Sequence, residues 1–241
     1  MAQLTLEGFA QEVSQALGKR LVSLLLYGST ARGPRAQVAG RGRADVNTLL
    51  ICDAADENLF ASLGPVVRRW VRAGHRAPLI FTEREWRESA DAFPIEYADL
   101  REAHRVLAGR DPWPGITVER ADVRRQLEHE LKGKLVRLRQ AYAALRGDQG
   151  ELAQVIGRSA AGFFTMLRAA LRLAGRTPPD APDALVREAG TTMGWPPESL
   201  TALVAHATGG RTLKLGAGDH PLPAAYLAAL ERTAEFVNRL T

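Results

Sequence analysis

Apolar residues recur every three or four positions from Leu4 to Leu17, with Leu6, Phe9, Val13 and Leu17 on one face. That spacing predicts an amphipathic helix. The period then changes. LVSLLLYG, residues 21–28, is short and almost wholly apolar, which predicts a buried strand ending at Gly28. Residues 33–43, GPRAQVAGRGR, have no period and read as a loop. DVNTLLICD, residues 45–53, predicts a second strand, with Val46, Leu50 and Cys52 on one face and Asp45, Asn47, Leu49 and Ile51 on the other. A helix is expected over Glu57–Arg72, interrupted or started near Gly64 and Pro65. APLIFT then reads as a third strand, EREWRESA as a short helix, and FPIEYADL as a fourth extended segment with Ile95 and Tyr97 opposite Glu96.

AGRDPWPG, residues 108–115, has the composition of a linker. Beyond it the pattern is helical. Leu127, Leu131, Leu135, Leu138, Tyr142 and Leu145 mark one stripe, and Leu152, Val155, Ile156, Phe163, Leu167 and Leu171 mark the next. AGRTPPDAPD breaks the chain at 174–183; short helices follow near 183–190 and 197–207, then a loop, GGRTLKLGAGDHPLP, and a last helix from about Pro223 to Leu240. The expected class is α+β. Residues 1–114 would form a mixed sheet with flanking helices, and 115–241 a bundle of about five helices.

Composition changes this picture little. The 241 residues are 46% hydrophobic and 24% charged, ordinary for a globular chain with a real core. No apolar run approaches the roughly 20 residues of a membrane span. The opening MAQLTLEGFAQEV has early acids and no basic-apolar-small order, so no signal peptide is expected. One cysteine, Cys52, excludes an internal disulfide, and its apolar surroundings predict a buried, inert thiol. A cytoplasmic protein is the default expectation. The four tryptophans are expected to pack.

Charge is more informative in its distribution than in its total of +5. No acid lies between Ser14 and Ala44, while Lys19, Arg20, Arg32, Arg35, Arg41 and Arg43 all do. Such a stretch is either a solvated basic surface or a field that attracts a polyphosphate. None of the five histidines stands at metal-ligand spacing from another.

The chemistry gathers in LLYGSTARG, residues 25–33, and ADVNTLLIC, residues 44–52. A Gly-Ser pair closing a strand can cap a helix. It also lets a phosphate approach the backbone at the start of that helix. Asp45 on the next strand could then hold Mg²⁺ beside the phosphate, and a residue two positions on, Asn47, shares its side of the strand. Glu96 is the best-placed third ligand, with Asp91 and Asp99 close by.

YGSTARG, a basic loop, then ADVNTLLI resembles the nucleotidyltransferase fold of the DNA polymerase beta superfamily. FPIEYADLREAHRVLAGRDPW is similar to the closing segment of bacterial predicted nucleotidyltransferases, and the helical second half resembles kanamycin- and streptomycin-type antibiotic nucleotidyltransferases. The resemblance implies that Gly28, Ser29 and Arg32 bind the phosphates of ATP or another nucleoside triphosphate. It implies metal ligation, by Mg²⁺ or Mn²⁺, through Asp45, Asn47 and Glu96, with Asp45 and Glu96 catalytic. The chain departs from the family at Asn47, where the pattern has a second acid. An amide oxygen can ligate a metal but carries no charge and is no base.

The expected activity is transfer of a nucleoside monophosphate to an unidentified hydroxyl acceptor. The alternative is a catalytically degenerate binding or regulatory module of the same fold, of the kind found in toxin-antitoxin pairs. Nucleic acid is a conceivable partner through the basic helices but nothing specific points to it, and no membrane association is expected.

Overall fold

The computed structural model describes residues 4–33, 46–209, 211–216 and 220–240. The architecture is α+β, in two compact units that meet in sequence between Val118 and Glu119. The first unit holds a four-stranded mixed sheet. In chain order it contains α1 (Leu6–Leu17), a 3₁₀ turn (Gly18–Arg20), β1 (Leu21–Tyr27), α2 (Ser29–Arg32), β2 (Asn47–Cys52), α3 (Glu57–Arg72), β3 (Leu79–Thr82), α4 (Glu83–Glu88), α5 (Pro94–Glu102) and β4 (His104–Gly109). The strand order is β3-β2-β1-β4. β1 runs antiparallel to both β2 and β4, whereas β2 and β3 are parallel, joined through α3.

Both sheet faces are covered, which is why β1 and β2 read as unbroken apolar runs. On one face, Leu24, Leu50 and Cys52 pack with Phe9, Val13 and Leu17 of α1 and with Leu59, Leu63, Val66 and Trp70 of α3. Phe9 and Trp70 stack at 4.3 Å between ring centroids. On the other face, Leu25, Leu49 and Ile51 meet Trp86, Tyr97, Leu100, Trp113 and Ile116. The two faces of β2 are therefore those its alternation predicts. All four tryptophans are buried, as is Cys52.

α3 is not interrupted at Gly64-Pro65; it runs through both. A proline inside a helix costs about 3 kcal/mol through a lost bond and a clash. The four apolar side chains that α3 buries outweigh that cost, since a fully buried large aliphatic or aromatic residue contributes about 1.5–3 kcal/mol. The start of α3 is fixed by Asp56, whose carboxylate accepts from the Leu59 amide at 2.8 Å and from Arg20 at 3.0 Å. Arg20, then the Leu59 amide, hold the Asp56 carboxyl below its ordinary range. A depressed carboxylate stabilises the fold above its unfolded-state pKa and loses that contribution as pH falls through the folded value. Asp56→Asn is thus expected to lower the melting temperature near neutral pH. The difference from wild type should close in acid melts, and an acid-independent difference would refute the pairing.

Two expectations need correction. FPIEYADL is not extended: Pro94–Glu102 is helix α5. Proline suits the first helical position, and an acid in the first turn suits the helix dipole. Pro94, Tyr97 and Leu100, three apart, are all buried, and this spacing defeats the two-residue alternation of Ile95 and Tyr97. The linker also starts later than residue 108. Ala108 and Gly109 end β4, and Trp113 and Ile116 beyond them are core residues of the first unit.

The second unit contains α6 (Arg120–Leu145), α7 (Gln149–Leu173), α8 (Pro182–Met193), a 3₁₀ turn (Pro197–Leu200), α9 (Thr201–Ala207) and α10 (Pro221–Arg239). α6 buries Leu127, Leu131, Leu135 and Leu138 of the predicted stripe, while Tyr142 and Leu145 at its end are half-buried. α7 is the central element, burying Leu152, Ile156, Phe163, Leu167 and Leu171 along its length. Tyr226 of α10 packs edge-on to Phe163 and shares a 2.8 Å hydrogen bond with the Ser159 hydroxyl. Arg168, almost fully buried, donates to the carbonyls of Pro179 and Asp180 and so ties down the turn before α8. Among the described residues no helix is long and apolar enough to cross a membrane.

Candidate functional site

Four strand ends meet at one edge of the sheet. Tyr27, the last residue of β1, pairs with Asn47 at the start of β2 and with His104 at the start of β4. β3 begins at the same end because it runs parallel to β2. Gly28 follows Tyr27 with φ +79° and ψ −154°, a conformation open essentially to glycine alone. The carbonyl of Gly28 accepts from the amides of Ala31 and Arg32, and α2 starts at Ser29. A side chain at Gly28 would place its first carbon 3.3 Å from the Asn47 amide group. The structure therefore brings Gly28 and Asn47 together, as the strand pattern implies.

Asp45 lies outside the described residues, as do Arg35, Arg41 and Arg43. Ser29 is the first residue of α2. Glu96 is exposed in the first turn of α5, not on a strand. Strand β3, Leu79–Thr82, which neighbours β2, carries no acid.

Arg32 is engaged by α5. Its guanidinium donates to the Asp99 carboxylate at 2.7 Å, to the Asp99 carbonyl at 3.3 Å and to Glu102 at 3.2 Å. The side chain is only 6% exposed. Two acids around one cation leave no surplus positive charge there for a phosphate. Asp99 and Glu102 become recognisable as partners once the segment is read as a helix, where residues three apart share a face.

His104, at the start of β4, lies beside Tyr27. The His104 ring accepts from the Trp113 indole N–H at 3.1 Å through Nε2, and its Nδ1 lies 3.0 Å from the Leu100 carbonyl. Those partners assign the proton to Nδ1. Burial pushes the Tyr27 phenol up, partly offset by the charge of Arg76. Burial likewise pushes up the Cys52 thiol, which is inert by that criterion. Among the described residues no three histidine, cysteine, aspartate or glutamate side chains gather as a metal site. Among the described residues, this sheet end brings together the Gly28 turn and the Asn47 side chain.

No protein-family model matches the chain, and no curated protein matches it at a significant level.

Proposed function

We propose that this sheet end is a nucleotidyltransferase-type site, of the DNA polymerase beta kind, which binds a nucleoside triphosphate with Mg²⁺ and transfers a nucleoside monophosphate to a hydroxyl acceptor. The observation that carries the reading is the Tyr27–Asn47 pairing, which sets the glycine turn beside the start of β2. The antiparallel β1–β2 pair, followed by a parallel β3 reached through a helix, supports the same reading.

Within it, Gly28 lets a phosphate come close to the backbone and Ser29 opens the helix behind it. Asp45 and Asn47 would hold Mg²⁺. Two oxygen donors fit this ion, which keeps several waters and takes its remaining ligands from phosphate. When bound, Mg²⁺ neutralises the triphosphate. Asn47 donates or accepts hydrogen bonds but removes no proton. By the resemblance, Glu96, in the first turn of α5, would be the carboxylate that takes the acceptor's proton.

A second reading, the catalytically silent binding or regulatory module, is favoured by the absence of an acid on β3 and by the neutralisation of Arg32. Thermal unfolding with ATP, with and without Mg²⁺, separates the readings when combined with a pyrophosphate-release assay. Ligand at about a hundredfold its Kd adds about 2.7 kcal/mol of stability. Mg²⁺-dependent stabilisation with pyrophosphate release, in the presence of an acceptor, supports transfer. Stabilisation without release supports a silent module that binds nucleotide, and no stabilisation contradicts transfer and favours a silent interaction module.

A further inference from the structure

The sheet has an open edge away from the candidate site. β3 is the outermost strand of the order β3-β2-β1-β4, so among the described residues no strand lies along its outer side. Edge strands are commonly guarded by charge, proline or a bulge, because their free backbone groups can pair with another chain. LIFT, residues 79–82, carries no charge and no proline, and its register with β2 is regular. Leu79 is 47% exposed.

α3 extends this surface. Leu59, Leu63, Val66 and Trp70 face the core. At about 3.6 residues per turn, Arg69, which pairs with Glu12 of α1, lies on one flank of the helix, and Phe60, Val67 and Val71 lie on the other. Phe60 and Val71 are each 45% exposed. Val67 packs against the same core cluster as Ile80 of β3, so this apolar flank borders the open edge. The charges of α3 are divided between its ends. Asp56 at the N-cap is neutralised by Arg20. Glu57 in the first turn, and Arg68 and Arg72 in the second half, are exposed and make no ion pair among the described residues. One end of the helix therefore complements the other end of an identical helix laid antiparallel to it.

We propose that the β3 edge and the Phe60–Val71 flank of α3 form a self-association surface, on which a second copy of this chain packs about a twofold axis. A twofold axis places the same patch on both copies and sets β3 against β3 and α3 against α3, each pair antiparallel. The two four-stranded sheets become one through the free backbone groups of β3. Phe60 of each copy packs beside Val71 of the other, which brings Glu57 within a turn of Arg72 across the axis. The apolar flank supplies the affinity, and the paired charges fix the orientation. The proposal does not depend on the nucleotide reading.

Sedimentation equilibrium of the full chain at low salt, where exposed charges are least screened, tests it. The proteins are wild type, Phe60→Asp, Glu57→Arg, Arg72→Glu, and an equimolar mixture of the last two. All three positions are exposed, so the variants are expected to fold, which circular dichroism checks. Wild type should be a reversible dimer. Phe60→Asp should weaken association about tenfold or more. Glu57→Arg and Arg72→Glu should each do the same alone, because each sets two like-charge contacts across the axis. Their mixture should recover the wild-type affinity, since both contacts then join opposite charges. A wild type that stays monomeric to about 1 mM would overturn the proposal. So would a dimer that the three variants leave intact, or one that the charge variants weaken without recovery in the mixture.

Discussion

Gly109→Ala is expected to cost about 3 kcal/mol or more, through left-handed strain of about 1–3 kcal/mol and overpacking of similar size. Gly109 ends β4 with φ +82°, opposite Ser23 of β1. An added methyl carbon would stand 2.3 Å from the Val22 carbonyl oxygen and 2.9 Å from the Ser23 Cα. These are backbone atoms of a central strand, so relief requires β4 to move away. That movement would also disturb the bond from the Arg110 amide to Val22 at 2.9 Å. Against a typical total stability of about 5–15 kcal/mol, such a loss is large. Gly74→Ala is the matched control. Gly74 has φ +91° but nothing within 4 Å of the added carbon, so it should lose only about 1–2 kcal/mol of conformational strain. Urea unfolding of both variants measures the difference. Equal losses would mean that the close approach of β4 to β1 contributes nothing.

Asn47→Asp is expected to have the largest effect on ligand binding. It restores the second acid of the motif, two residues after Asp45 in sequence. Without metal, two like charges so close should lower the melting temperature, because neighbouring carboxylates repel. Added Mg²⁺ or Mn²⁺ should reverse that loss and bind about tenfold more tightly than in wild type or better, since ligand charge tunes affinity. Melting curves across a metal titration record both effects. An unchanged metal midpoint would mean that position 47 does not face the ion. A gain of pyrophosphate release would mark Asn47 as the feature that limits activity.

Much of the first unit was legible because burial imposes simple patterns. β1 and β2 are covered on both faces, so they read as continuous apolar runs, and parity alone separated Leu50 and Cys52 from Leu49 and Ile51. Local pattern failed where two periods coincide. Ile95 and Tyr97 alternate like a strand, while Pro94, Tyr97 and Leu100 step like a helix turn. β4 escaped notice because HRVLAG is an edge strand with Arg105 and Val106 exposed, and its identity depends on pairing with distant β1. The site divides in the same way. The meeting of Gly28 and Asn47 follows from neighbouring strands. The engagement of Arg32 does not, because Asp99 and Glu102 lie 67 and 70 residues away in sequence.

The central claim is that the sheet end at Gly28 and Asn47 takes a triphosphate together with a metal held by Asp45. Isothermal titration of ATP into wild type and Asp45→Ala, each with Mg²⁺ and with chelator, tests it most directly. The account predicts wild-type binding that depends on Mg²⁺, and its loss in a folded Asp45→Ala variant. Binding of equal strength in the two proteins, or binding in wild type that ignores the metal, would contradict it.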